Sequence, residues 1–404
     1  MRLFYGFGIR VFYGIMWVAS LLHPKAKKWI QGRKEPWPNV SHLANRNVVW
    51  FHCASLGEFD QGLPLMNAYK AQYPNDFLLV TFFSPSGMEY YNKRDHLVDL
   101  AVYLPLDTKT KAQKFVSHFN PKLVFFVKYE FWYNHLKCAR RNGAKIYGVS
   151  SLFRSTHRFF KWYGGFFRKS LRFFDYFFTQ DERSKALLAS IGITQAMVTG
   201  DTRYDRMMAV VEKTSKNEVI HTFKGDDKLI ILGSMWPVDL EMLFPALDEL
   251  LSSYKLLFAP HVINEKLLLQ IEQAFDNQCE RFTRFQNTGQ KVLILDTIGH
   301  LTSAYQYADI AYVGGGFSGS LHNILEPGAF GVPIIIGPKY HRFPEAILFT
   351  EQEVTFSVGE SLDFERAVEK INQQNTVIKE KLHKLFQQNK GAASKVIAFL
   401  QEKC

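Results

Sequence analysis

Cysteine is scarce in this chain. There are four in 404 residues, Cys53, Cys138, Cys279 and Cys404, far apart and with no C-x-x-C pair. A disulfide framework and a zinc ribbon are thereby excluded, and a reducing compartment fits. D-x-D and H-E-x-x-H are missing, as is any clustered Cys/His set, so no catalytic metal and no cofactor are expected. Acidic residues are also in deficit: 38 Asp plus Glu stand against 49 Lys plus Arg, a formal net charge of +11. That imbalance points to an anionic partner, whether nucleic acid, a phosphorylated small molecule or an acidic membrane. Repeats and low-complexity segments do not stand out. An apolar content of 47% is too high for a disordered chain, and the length suits two domains of roughly 150–200 residues.

What is present begins with an apolar, aromatic run over residues 3–22, of about bilayer-spanning length and interrupted by Arg10 and a few glycines. Lys25, Lys27, Lys28, Arg33 and Lys34 follow at once, which reads as a cytoplasmic flank. No A-x-A-like site follows, which disfavours a cleaved signal peptide. The expectation is a single N-terminal anchor. Because an arginine at the centre of a span costs about 3 kcal/mol, a helix lying in the membrane interface is the main alternative, and a buried helix of a soluble domain the third.

From Asn47 onward, strand-like runs alternate with helical patterns: residues 48–52, 77–82, 101–104, 123–127, 145–149 and 176–179, then 229–233, 254–259, 292–296, 310–313 and 333–336. Such alternation predicts an α/β chain with parallel sheets. The polar, Lys-rich stretch 207–227 makes the best junction, giving an N-terminal anchor and flank over 1–36, one doubly wound domain over 37–210 and a second over 211–404 that includes the terminal amphipathic helices. Ligand sites are expected in loops after strands, at the carboxyl ends of the sheets.

Six loops carry candidate chemistry. Ala54-Ser55-Leu56-Gly57-Glu58 follows the first strand, and it is read either as a capping box of Ser55 with Glu58 or as a general base, Glu58, presented at a helix start. The hydroxyl-rich loop 81–87 includes Ser84, which suits a sugar or phosphate ligand or plain turn chemistry. Glu130, between Tyr129 and Phe131-Trp132, is either a sugar or cation ligand or a buried structural carboxylate. Gly233-Ser234-Met235-Trp236-Pro237 and Ala259-Pro260-His261 lie where a nucleotide would be covered. The sixth, Gly314-Gly315-Gly316 through His322-Asn323 to Glu326-Pro327, reads as a strand running into a glycine turn and a helix. Its N–H groups would meet phosphate oxygens, with Glu326 one turn into the helix and holding two ribose hydroxyls. No Gly-Lys-Ser/Thr occurs and the motif comes late in the chain, so it is not read as a P-loop or a dinucleotide fingerprint. Interleaved cations and aromatics between 152 and 178, from Arg154 and Arg158 to Trp162, Arg168 and Phe174, suit a membrane interface, single-stranded nucleic acid or a buried amphipathic stretch.

These residues resemble the 3-deoxy-D-manno-octulosonic acid (Kdo) transferases of lipopolysaccharide assembly. The resemblance rests on Ala54-Ser55-Leu56-Gly57-Glu58, Glu130-Phe131-Trp132, Gln180-Asp181-Glu182, Gly200-Asp201-Thr202-Arg203-Tyr204-Asp205, Gly233-Ser234, Asp296-Thr297-Ile298-Gly299, Gly314-Gly315, His322-Asn323-Ile324-Leu325-Glu326-Pro327 and Gly337-Pro338, in family order over nearly the whole chain. It implies the GT-B architecture, two Rossmann-like domains facing an interdomain cleft. It further implies an inverting, metal-independent transferase with CMP-Kdo as donor and a lipid A precursor as acceptor, at the cytoplasmic face of the inner membrane. Glu58 would be the general base, Ser55, Gly57, Ser84 and Glu130 the acceptor side. Ser234, His261, Gly314, Gly315, Gly316, His322, Asn323, Glu326 and Lys339 would bind the donor. Anionic membrane lipids are expected partners and nucleic acid is not.

Departures from the family pattern are visible. A family Pro-Arg-His is Ala259-Pro260-His261 here, so one phosphate-binding Arg is absent, and Lys339, His341 or Arg342 would substitute. Gly-Ser-Thr-His becomes Gly233-Ser234-Met235-Trp236, the Gly-Gly before His-Asn becomes Ser320-Leu321, and a common Asn becomes Arg342. The alternatives are another GT-B nucleotide-sugar enzyme, such as a lipid-linked UDP-sugar transferase or an epimerase, or a non-catalytic basic membrane-binding protein.

Overall fold

Strands covered by helices on both faces bury every side chain, so they read as unbroken apolar runs rather than alternating ones. A computed structural model, describing residues 2–43, 45–276 and 278–403, turns the expected runs into strands of two sheets. Cys404 lies outside the described residues. The first sheet contains β1 (Val48–Cys53), β2 (Phe77–Phe82), β3 (Leu100–Tyr103), β4 (Leu123–Val127), β5 (Lys145–Ser151), β6 (Tyr176–Thr179) and β7 (Ala196–Val198), in the order β3-β2-β1-β4-β5-β6-β7. The second contains β8 (Lys228–Met235), β9 (Tyr254–Pro260), β10 (Cys279–Arg281), β11 (Val292–Ile294), β12 (Ile310–Val313), β13 (Ile334–Ile336) and β14 (Thr355–Ser357), in the order β10-β11-β9-β8-β12-β13-β14. All pairings are parallel. The α/β expectation of two Rossmann-like units is met. The strands not anticipated, β7, β10 and β14, are three residues each and sit at sheet edges, where half-exposed segments carry no apolar run.

Alternation along β1 divides the first core. Val49, Phe51 and Cys53 pack with Phe59, Leu63 and Met66 on one face, while Val48 and Trp50 pack with Phe115, Phe119 and Leu136 on the other. Each such fully buried aromatic or branched side chain contributes about 1.5–3 kcal/mol.

The expected division at 210/211 needs two corrections. One unit runs to Arg206 and resumes at Asn389, and the other is Met207–Gln388. The helix Ala392–Lys403 belongs to the first unit because Ala393, Val396 and Leu400 complete its core. Asp205 fixes its start: one carboxylate oxygen accepts from Ala393 N–H at 2.8 Å and the other from Gly391 N–H. Part of the family-like Gly200–Asp205 stretch is thereby structural.

The spanning anchor is also corrected. No helix among the described residues is long and apolar enough to cross a membrane. The N-terminal helix α1 (Arg2–Ala19) has 18 residues, about 27 Å at 1.5 Å each, and Arg10, Gly6, Gly8 and Gly14 dilute its apolar content. One side of α1 packs on the first unit through Ile9, Tyr13 and Met16, against Trp29 and Ile30 of α2 (Pro24–Gly32) and Leu106. Phe4, Phe7, Val11, Ile15 and Val18 point outward, Phe4 76% exposed. Arg33, counted above with the basic flank, is largely buried: its guanidinium donates to the carbonyls of Leu104, Trp29 and Phe83 at 2.9, 3.1 and 2.7 Å and lies 3.8 Å over the Trp29 ring. Burial pushes its pKa down to about 9.

Candidate active site

In the first sheet the strand order reverses between β1 and β4, and the loops after those strands form the crevice expected at such a switch point. The helix α3 (Leu56–Gln72) starts directly after β1. Ser55 occupies its N-cap with extended backbone (φ −144°) but makes no capping bond. Its hydroxyl instead donates to Glu58 Oε2. The capping-box reading therefore fails and the serine orients the acid. Gly57 is exposed beside this pair, and a Cβ there would have room, its nearest atom being Ser55 Oγ at 3.7 Å.

Ser84 does turn work. Its Oγ accepts from Ser86 N–H at 3.3 Å at the start of α4 (Pro85–Tyr90), and the N–H groups of Phe83 and Ser84 both donate to Ala54 O, at 3.2 and 2.7 Å. The loop after β2 is thus tied to the loop after β1.

Glu130 sits in the loop after β4 with its Oε2 buried and without a hydrogen-bond partner. Burial and, second, the charge of Glu58 push its pKa up to about 7. The Glu58 carboxylate is thus close enough to act on Glu130, which is partly protonated near neutral pH. Behind them runs a chain of buried groups that the sequence reading missed. Trp132 Nε1 donates to His52 Nε2 at 3.1 Å, His52 Nδ1 lies 2.9 Å from Thr81 Oγ1, and Trp50 Nε1 donates to the same hydroxyl at 2.8 Å. Burial and then the nearby His135 hold the His52 pKa down to about 3. An imidazole whose Nε2 accepts from an indole is neutral with its proton on Nδ1, so the 4.0 Å contact of Nε2 with Glu130 Oε2 is not an ion pair. The only sequence signal was a histidine inside an apolar strand.

Asp107 was missed as well. It is fully buried and accepts from Tyr5 Oη at 2.6 Å, from Asn134 N–H at 2.9 Å and from His135 N–H at 2.9 Å, with His135 Nδ1 at 2.6 Å. Burial alone would raise its pKa; the bonds from His135, Tyr5 and Asn134 hold it below the usual carboxylate range. The aromatic-basic segment divides between two roles. Phe153 and Leu171 are buried with Phe177 in a cluster of their own, whereas Trp162 is 91% exposed. A cavity of about 610 Å³ joins this segment to Glu130, lined also by Tyr5, Trp132, His157, Arg158 and Tyr163.

The second unit has its own switch point, between β8 and β12. Ser234 sits at a β8 irregularity with φ +53°, and Trp236 follows. The Trp236 ring stacks on His261 (4.4 Å between centroids, 25°), its Nε1 donates to His322 Nε2 at 3.2 Å, and the two histidines are 4.3 Å apart. Burial and then His261 hold the His322 pKa down to about 4, so the His322 ring is neutral at physiological pH. The turn after β12 packs more tightly than its sequence suggests. A Cβ on Gly314 would meet Ser234 O at 2.3 Å; Gly315 has φ +89°; and Gly316 lies against the Gly337 backbone, 2.5 Å from where its Cβ would be.

The expectation that the N–H groups of this turn meet phosphate oxygens is narrowed. Gly314 N–H donates to Gly233 O at 2.8 Å and Gly315 N–H to Asp239 Oδ2 at 3.2 Å. Asp239, another missed residue, is fully buried and also accepts from Trp236 N–H and Tyr312 Oη, both at 2.8 Å. Nor is there a long helix after the turn: Leu325–Ala329 has five residues, and Glu326 is its second. Glu326 accepts from Thr302 Oγ1 at 2.9 Å and Asn323 Nδ2 at 3.2 Å. Lys339 is exposed, its backbone N–H bonded to Gly316 O at 2.9 Å. The structure therefore gathers Ser55, Gly57, Glu58 and Glu130 in the first unit. Ser234, His261, Gly314–Gly316, His322, Asn323, Glu326 and Lys339 lie around the second crevice.

Residues 27–206 match the family model described as 3-Deoxy-D-manno-octulosonic-acid transferase (kdotransferase). The 3-deoxy-D-manno-octulosonic acid transferase of Chlamydophila psittaci is 30% identical over 308 residues, covering 72% of this chain and 69% of its own length. That of Aquifex aeolicus is 26% identical over 326 residues, 79% of this chain and 84% of its own. Among solved structures, the UDP-GlcNAc 2-epimerase of Neisseria meningitidis is similar in fold, with a TM-score of 0.64 at 14% identity over 88% of this chain and 100% of that one. Fold, crevices and relatives agree: the chain belongs to the 3-deoxy-D-manno-octulosonic acid transferase family of glycosyltransferases.

Proposed function

We propose that this chain transfers Kdo from CMP-Kdo to a lipid A precursor, with inversion and without a metal ion, on the cytoplasmic face of the inner membrane. The observation that carries the reading is the Ser55 hydroxyl on the Glu58 carboxylate in place of a capping box. A cap stabilises a helix by about 1 kcal/mol, and its sacrifice leaves an oriented acid facing the crevice. Glu58 takes the proton of the acceptor hydroxyl as its oxygen bonds to the anomeric carbon of Kdo. The bond from that carbon to the CMP phosphate oxygen breaks, and its electron pair leaves with the phosphate. Glu130, whose Oε2 has no protein partner, hydrogen-bonds a sugar hydroxyl while partly protonated. The cavity beside Glu130, with Arg158 and exposed aromatics, suits a phosphorylated amphiphile. On the donor side, Glu326 holds the ribose and Lys339 replaces the absent phosphate-binding Arg. The outward apolar side of α1 supports attachment in the plane of the membrane interface.

The test is incubation of the full chain with CMP-Kdo, generated in place, and a lipid A precursor in the presence of EDTA, followed by mass spectrometry of the lipid. Added Kdo units are expected. No mass gain, or a gain that depends on added divalent metal, overturns the reading. Glu58→Gln is expected to lower kcat by about 10²–10⁴ with CMP binding and melting temperature retained.

A further inference from the structure

A cavity of about 480 Å³ lies in the first unit, and none of the residues lining it is among the candidate site residues. Its walls are apolar: Ala101, Val102 and Tyr103 of edge strand β3, with Trp37 and Met88. Arg33, Lys111 and Lys114 line it too, against the single carboxylate of Glu35. Arg33 gives its hydrogen bonds to three backbone carbonyls and none to an acid. Neither Lys111 nor Lys114 pairs with an acid among the described residues. Lys111 Nζ instead lies 5.8 Å over the ring of Tyr13 on α1, so the cavity borders the helix whose other side is apolar and exposed.

Uncompensated cations around an apolar slot of this size complement a ligand with one anionic and one apolar end. We propose that the slot binds an acidic phospholipid, its acyl chain along β3 and its phosphate between Lys111 and Lys114. The supply of that lipid from a bilayer rests on the reading of α1 as an interfacial helix; the recognition chemistry does not. Binding there would hold the first unit at a fixed depth on an anionic membrane, independently of the acceptor.

The experiment measures binding to the full chain by calorimetry, using dihexanoyl-phosphatidylglycerol below its micelle concentration, dihexanoyl-phosphatidylcholine and inorganic phosphate. Phosphatidylglycerol is expected to bind at least about tenfold more tightly than either other probe, and Lys111→Ala with Lys114→Ala to weaken it about tenfold with circular dichroism unchanged. Equal affinity for phosphatidylcholine, equal affinity for phosphate, or unaltered binding in the double variant overturns the proposal. A second pair, Phe7→Ser with Ile15→Ser, separates the two readings. It is expected to lose sedimentation with phosphatidylcholine vesicles while keeping the short-chain lipid, so failure of the α1 reading and failure of the slot give different results.

Discussion

At the scale of single residues, the two acids of the first crevice differ in what surrounds them. Glu58 has a serine hydroxyl, while Glu130 has burial and a neighbouring negative charge, which carry its pKa from 4.5 to about 7. The sign of the linkage follows. Below about pH 4.5 Glu130 is neutral folded or unfolded. Between there and about 7 only the unfolded chain ionises it, so stability falls as pH rises through this window. Glu130→Gln is expected to flatten that slope in urea midpoints measured from pH 4.5 to 8; an unchanged slope would mean that Glu130 ionises freely. Gly314→Ala addresses the second crevice. Its Cβ would clash with backbone, Ser234 O at 2.3 Å, and a loss of about 1–3 kcal/mol is expected from denaturant titration. The sequence suggested that this glycine serves a ligand, whereas its first duty is to let two strands' loops touch.

At the scale of elements, most of what could be read from sequence was burial. Continuous runs such as 77–82 and 123–127 mark strands covered on both faces, and they came out with the expected bounds. The three-residue edge strands β7, β10 and β14 and the owner of the helix Ala392–Lys403 were illegible for one reason: an amphipathic stripe records that a face is covered, not by what. The same limit applied to the site. Glu58 and Glu130 were found because each follows a strand. His52, Asp107 and Asp239 act through partners 28 to 80 positions away, such as Trp132, His135 and Tyr312, and no local pattern announces such pairs. The apolar run over residues 3–22 reads as a span because hydropathy does not record which side of a helix packs. Here α1 is held by Tyr5 on the buried Asp107, 2.6 Å away. Tyr5→Phe deletes a bond to a charged acceptor and is expected to cost about 1.5–3 kcal/mol. The loss should appear as faster proteolysis within α1, with β8–β14 unaffected.

At the scale of the molecule, the net charge of +11 has more than one use. Arg33 spends its charge inside the first unit on carbonyls and rings, whereas Lys25 and Lys27 stay exposed beside the outward apolar side of α1. The second unit is a continuous stretch, Met207–Gln388, inserted into a first unit that the chain both starts and finishes. Deleting the helix Ala392–Lys403 should therefore leave the second unit intact and loosen the first. Hydrogen exchange is expected to accelerate in β1 and α3 and to stay unchanged in β8 and β12.

The clasp of Asp205 on the start of that helix also has a consequence for synthesis. On the ribosome the whole second unit emerges before the helix that seals the first. The half carrying Glu58 and Glu130 must wait, with the part of α3 that this helix covers still open, until more than 180 further residues have been made after Asp205. The protein thus completes the half that carries Glu58 and Glu130 last, and a nascent chain stalled short of Ala392 would carry a finished second unit beside an unfinished first.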